Sequence, residues 1–281
     1  MVDWVEDAVK QTEKKEVKVV KDFNSYFTDE ANVTTVDLLY GDSSCGKTYV
    51  SQTYPEPIYI IDTENRALNT KKCNFPSKKI FVFNPVEYKT DFDLKDDDSL
   101  DMHKTIENIF KFIIDLANKV KKGEIDRGTV VLDSCTDIWQ LCQEWGMYEL
   151  AKYTNKDGGK KADVMMMRVA QQTDWRIINK RHKEIIGGLR ALTKYGIHVV
   201  FTAKEEIVPE YITKTNAATS KDKIRAQKDL YFDADVVFNL KKVNTSAGTK
   251  FMAVCEKLSG KNPTVQPIEN INYDKIKELL K

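Results

Sequence analysis

No stretch of this chain approaches the roughly 20 consecutive apolar residues of a membrane-crossing helix, so a membrane role is not expected. Clustered cysteines are missing too. Cys45, Cys73, Cys135, Cys142 and Cys255 form no C-x-x-C pair and no ligand cluster. That argues against a disulfide scaffold and for a reduced cytosol. Neither sign of charge dominates: 44 basic against 43 acidic residues leave +1. Bulk charge therefore says nothing for or against a nucleic-acid partner, and only local clusters can. The opening "MVDWVEDAVKQTEKK" is charged and lacks the apolar centre of a secretion signal. No solenoid-length repeat recurs. A cytoplasmic location is the expectation.

What is present is apolar material in strand-length pieces. The chain has 281 residues, 41% of them hydrophobic, enough for one large α/β domain or two small ones. Residues 1–32 read as a mixed-charge, helical N-terminal extension, and 33–281 as the core domain. Apolar runs at 35–40, 57–62, 79–84, 129–133, 197–203, 234–240 and 250–256 alternate with helical patterns. Several are apolar nearly throughout, as parallel strands covered on both faces are. Ile106, Ile109, Phe110, Ile113, Ala117 and Val120 follow helical spacing, and a second helical pattern spans about 162–195. The predicted fold is α/β, a mostly parallel sheet flanked by helices, its last two strands forming a hairpin joined by "KKVNTSAGTK". Ligands are expected at the C-terminal strand ends.

The segment "LLYGDSSCGKTYVSQTYP" places Gly41, Gly46, Lys47 and Thr48 in the pattern G-x-x-x-x-G-K-[ST], behind a strand and ahead of a short helix that stops before Pro55. Glycines let backbone N–H groups converge on an anion. The nucleotide-binding residues are then Gly41, Asp42, Ser43, Ser44, Cys45, Gly46, Lys47, Thr48 and Tyr49. Lys47 reaches the β- and γ-phosphates, and the Thr48 hydroxyl ligates Mg²⁺. Hydrolysis of ATP needs two further groups. "TVVLDS" ends a buried strand on Asp133, a second Mg²⁺ ligand or else a helix-capping acid. "IYIIDTEN" puts Asp62 and Glu64 on one side of a strand end. One of them can orient the attacking water, and either can instead cap a helix.

Together "GDSSCGKT", "IIDTENRALN" and "VVLDSCTDIW" resemble the RecA-type recombinase core in order and spacing. Residues 174–206 look more narrowly like phage-encoded, single-domain RecA-like ATPases of the Sak annealing-protein type. The resemblance covers roughly residues 33–260. It implies a RecA-like P-loop NTPase core, a DNA-stimulated ATPase that uses ATP and Mg²⁺ in recombination, annealing or replication, and a homo-oligomer. Glu64 becomes the water-polarising acid and Asp133 the metal acid. Thr202, ending "FTA", falls at the γ-phosphate sensor, where the family commonly has glutamine. No large flanking DNA-binding domain of that family is expected from these residues, which favours annealing or loading over strand exchange.

The resemblance also implies two DNA-binding loops. One lies near 153–163, flanked by Tyr153. The other spans about 204–231, flanked by Tyr211. Within the second, residues 212–228 hold Lys214, Lys221, Lys223, Arg225 and Lys228 against Asp222, a net +4. These cations are expected to contact single-stranded DNA phosphates, the plain alternative being solvated surface. The acidic stretch 91–101 reads as a solvated loop. Lys257 and Lys261, just past the final apolar strand, are candidates to reach a neighbouring subunit's γ-phosphate, or else are surface lysines. A single-strand-binding protein is a candidate partner. Two rival functions stay open: a P-loop motor on duplex DNA, and a nucleotide-switched binding module with negligible turnover.

Overall fold

The structure is a computed structural model that describes residues 34–88, 100–154, 172–212, 217–263 and 266–281. The N-terminal extension, the acidic stretch at 91–99, most of the first loop and Lys214 lie outside the described residues. Of Lys221 and Tyr211 only the backbone is described. The described residues belong to one unit, Thr34–Lys281.

In chain order the elements are β1 (Val36–Gly41), α1 (Lys47–Ser51), β2 (Ile58–Asp62), α2 (Ala67–Asn74), β3 (Ile80–Phe83) and α3 (Met102–Lys122). Then come β4 (Thr129–Asp133), α4 (Cys135–Thr154), α5 (Gln172–Arg190), a 3₁₀ turn (Ala191–Tyr195), β5 (His198–Ile212) and β6 (Ala217–Arg225). The chain closes with α6 (Leu230–Asp233), β7 (Val236–Thr245), β8 (Gly248–Leu258), β9 (Ile268–Glu269) and α7 (Tyr273–Leu280). One sheet runs β3-β2-β4-β5-β1-β7-β8-β9, with β6 paired to β5. Every neighbour from β3 to β7 is parallel, and β8 turns back on β7 as the predicted hairpin. This is the expected α/β architecture, a mostly parallel sheet flanked by helices with a C-terminal hairpin.

Strand sequence explains the layering. Every residue of β1 and of β4 is buried, because helices cover both faces. On one face Leu38, Val130, Leu132, Val199 and Phe201 pack under α3, α4 and α5. On the other, Leu39, Ile60, Val131, Val200 and Phe238 pack with Val50 of α1, Ala67 of α2 and Ile276 of α7. The stripe of α3 faces inward at Ile106, Ile109, Ile113, Leu116 and Val120. The Asp101 carboxylate accepts the Lys104 N–H at 3.0 Å to start α3, a cap worth about 1 kcal/mol. Gly123, at φ 71°, ends the helix in the left-handed region that a C-terminal cap requires.

Two boundaries differ from the sequence expectation. The hairpin link is not the whole of 241–250: pairing continues to Thr245 opposite Gly248, leaving a two-residue turn. The basic stretch 212–228 is not simply a loop, because 217–225 is strand β6, antiparallel to an extended β5 from Lys204↔Arg225 to Ile212↔Ala217. β5 outruns its parallel neighbours, and β6 gives its backbone groups new partners. Pro209 stands opposite Ser220, and among the described residues β5 has no second partner along this ribbon, a position where proline is tolerated. Glu206 stands opposite Lys223, a favourable cross-strand pair. Counting Lys204, Glu205, Glu206 and Glu210 with the original stretch lowers the net charge of 204–228 to +2.

Candidate active site

The sheet register brings the chemistry to one edge. β1 and β4 flank β5, and Gly41 stands level with Lys204 on β5 and Leu240 on β7. Asp62 is level with Asp133 across β2 and β4. A cavity of about 880 Å³ opens at this edge, lined by residues 42–50, Glu64, Asp133, Lys204 and Arg225 among others.

The loop between β1 and α1 needs its glycines. Gly41 has φ 153°, and a Cβ there would sit 2.1 Å from the Leu240 carbonyl oxygen and 2.9 Å from Cys45 Sγ. Gly46, at φ 97°, turns the chain into α1. The Lys47 ammonium donates to the carbonyls of Gly41 (2.9 Å) and Asp42 (2.7 Å), arching over the loop. Cys45 is a core side chain in which burial pushes the thiol pKa up, so it is not a poised thiolate.

Thr48 Oγ1 donates to Asp133 Oδ2 at 2.7 Å, joining the two expected metal ligands. Burial raises the Asp133 pKa, and the hydroxyls of Thr202 and Thr48 partly offset this. Thr202 departs from its expected role as sensor. It is fully buried, and its hydroxyl donates to Asp133 Oδ1 at 2.5 Å, so it orients the Asp133 carboxylate and does not line the cavity.

Asp62 and Glu64 differ in their partners. Buried Asp62 accepts the N–H groups of Glu64 (3.0 Å) and Ala67 (2.9 Å), shaping the turn into α2. Glu64 lines the cavity and pairs with Lys204 at 2.9 Å. Lys204 also binds Asp137 Oδ1 at 2.9 Å. Burial works against the Lys204 ammonium, but its bonds to Asp137 and Glu64 outweigh it and raise the lysine pKa. Asp137 is fixed in turn by the hydroxyls of Thr63 and Ser134, each 3.0 Å away.

Lys204 and Asp137 were missed by the motif reading. The signals were there: Lys204 is one residue beyond the apolar run, and Asp137 is an acid in the first turn of the helix that follows Asp133. The far wall was not foreseeable. Phe251 and Met252 come from β8, and Asn270, Ile271 and Asn272 from the link into α7. Tyr49 and Phe251, 45% and 40% exposed, offer aromatic surface in the same cavity.

The remaining expected residues scatter. Arg225, expected on DNA, lines the cavity beside the glycine loop. Lys223 and Lys228 are exposed beyond it. Lys257 is level with Val237, toward the strand ends opposite the phosphate loop. Its ammonium donates to the carbonyls of Tyr231 (3.3 Å), Phe232 (3.1 Å) and Ala234, clamping the end of α6. That corrects its reading as a cation held for a neighbour: it serves its own chain. Lys261 is exposed on the turn after β8.

The profile of the AAA domain family matches residues 35–263, from the start of β1 to just past β8. The chain belongs to this family. It is an AAA-type P-loop ATPase domain, and the phosphate loop, Glu64, Asp133 and Lys204 all fall within the matched span. The AAA domain match ends before Asn270–Asn272, so that wall of the cavity lies outside it. Among solved structures, the KaiC-like protein PH0186 from the hyperthermophilic archaeon Pyrococcus horikoshii OT3 is similar at 16% identity, over 84% of each chain, with a TM-score of 0.41. No curated protein sequence matches the chain. Among the described residues, no helix of this AAA domain is long and apolar enough to cross a membrane.

Proposed function

We propose that this AAA domain hydrolyses ATP with Mg²⁺ and acts as an oligomer on single-stranded DNA in recombination, annealing or replication. The observation behind the reading is that Lys47, Thr48, Glu64 and Asp133 line one cavity at the C-terminal strand ends. Thr48 Oγ1 and Asp133 Oδ2 are hard oxygen donors 2.7 Å apart, the donor type that Mg²⁺ takes. Among the described residues no group of three or more His, Cys, Asp or Glu would cage a metal. The site therefore suits an ion that shares its shell with phosphates and water. When bound, Mg²⁺ neutralises charge on the β- and γ-phosphate oxygens.

The chain's own residues supply the rest. Backbone N–H groups of the loop cradle the phosphates, and Lys47 exchanges its two carbonyls for phosphate oxygens. Thr202 holds the Asp133 carboxylate in place. Glu64 accepts a proton from water as the water oxygen bonds to the γ-phosphorus. The bond from that phosphorus to the β-bridging oxygen breaks, and its electron pair stays on ADP.

The resemblance of residues 174–206 to Sak-type annealing ATPases supports single-stranded DNA as the polymer. The β5–β6 ribbon starts at the edge of the cavity and carries exposed Lys223, exposed Lys228 follows in the turn before α6, and Lys214 and Lys221 belong to the same stretch of sequence. Lys261 is the remaining candidate for a trans-acting cation. A single-strand-binding protein fits as partner. ATP turnover measured with no DNA, with single strands and with duplex tests the reading. Single-strand stimulation supports it. Duplex stimulation favours a translocating motor. Tight ATP binding without turnover favours a binding module.

A further inference from the structure

Lys204 has a position and a set of partners that none of the recognised motifs explains. It stands level with Gly41, the first residue of the phosphate loop, where β5 leaves the parallel sheet and begins its ribbon with β6. Its own N–H is anchored on Thr136 Oγ1 at 2.8 Å. Its ammonium lies 2.9 Å from Glu64 Oε1 and 2.9 Å from Asp137 Oδ1, with the side chain 39% exposed toward the cavity. Thr202, two residues earlier, is buried away from that cavity.

A lysine bound to the water-orienting acid has a specific consequence. A γ-phosphate is a stronger anion than one carboxylate and competes for the same ammonium. The acid cannot be fully engaged by lysine and also accept a proton from water.

We propose that Lys204 is a catalytic cation supplied in cis: it partitions between Glu64 and the terminal phosphate of ATP, and its move to the phosphate frees Glu64 for the attacking water. On the phosphate it offsets charge as the γ-phosphorus bond to the bridging oxygen breaks. The pair thus makes the base available only beside a nucleotide that has a third phosphate. Asp137, held by Thr63 and Ser134, keeps the ammonium over the cavity in either position. This inference rests on the ATPase reading, but its main test does not require turnover.

The test is the affinity for ATP relative to ADP, measured with Mg²⁺ by displacement of a fluorescent nucleotide. Wild type, Lys204→Met, Glu64→Gln and the double variant are compared. Wild type should prefer ATP, and Lys204→Met should lose about tenfold or more of that preference, the worth of one charge-assisted contact. Its affinity for ADP should be unchanged, which also marks an intact loop. Glu64→Gln should bind ATP about fivefold tighter, because the ammonium is no longer shared, and the gain should vanish in the double variant. An unchanged preference in Lys204→Met would overturn the proposal. So would a Glu64→Gln protein with no gain, which decides the matter even if Lys204→Met fails to fold. A wild type that binds but does not hydrolyse ATP would sink the ATPase reading alone, since the affinity ratio still reports on Lys204.

Discussion

Asp37 sits in β1, the strand that delivers the phosphate loop at its other end, and its carboxyl is fully buried. Tyr54 Oη donates to Asp37 Oδ2 at 2.6 Å. Burial pushes the pKa from an ordinary 3.8 up to about 6; the Tyr54 hydrogen bond opposes the rise, and nearby Asp235 adds to it. The folded state therefore favours the protonated acid. Its contribution to stability is complete below the unfolded value of 3.8 and is lost as pH rises through about 6. The shift corresponds to about 3 kcal/mol in total, roughly half of it falling between pH 5 and pH 8. Asp37→Asn keeps the shape and cannot ionise. Urea unfolding of both proteins across that window should show the variant gaining on wild type by about 1.5 kcal/mol as pH rises. Parallel stability curves would mean that Asp37 does not titrate in this range and that the burial argument is wrong.

Further outcomes follow from the site. Glu64→Gln should still bind ATP while turnover drops by about 100-fold or more; normal turnover in this variant and none in Asp62→Asn would show that the wrong acid was chosen. Asp62→Asn should chiefly weaken folding, because it unsettles the two backbone N–H bonds that shape the turn into α2, and a lowered melting temperature with little change in turnover per folded molecule checks this. Replacing Lys223 and Lys228 by Ala should weaken single-strand binding and reduce its log–log salt slope by about 1.4, two contacts at about 0.7 each. An unchanged slope would leave the ribbon as plain solvated surface.

The sequence was most legible where chemistry restricts residue type. Gly41, Gly46, Lys47 and Thr48 must be those residues at that spacing to form a phosphate loop, and Asp133 ends a strand that is apolar because both faces are covered. The fold class followed from the same strands. Legibility failed where partners are far apart in the chain. β6, "AATSKDKIR", has no apolar alternation; it is a strand because β5 outruns the sheet and needs a partner. Lys204 was passed over because the apolar run stops at Ala203, although hydrogen bonding does not. Thr202 and Lys257 were assigned to phosphates from their place in a pattern. Their true partners, the Asp133 carboxylate and the carbonyls at the end of α6, are tertiary facts.

If the cavity at the strand ends is an ATP site, it is built on Lys47. Calorimetric titration of Mg²⁺–ATP into wild type and Lys47→Ala tests it most directly. Wild type should bind clearly and the variant should lose tight binding, because the β- and γ-phosphates lose their closest cation while the fold remains intact. ATP affinity unchanged in a folded Lys47→Ala protein would contradict it.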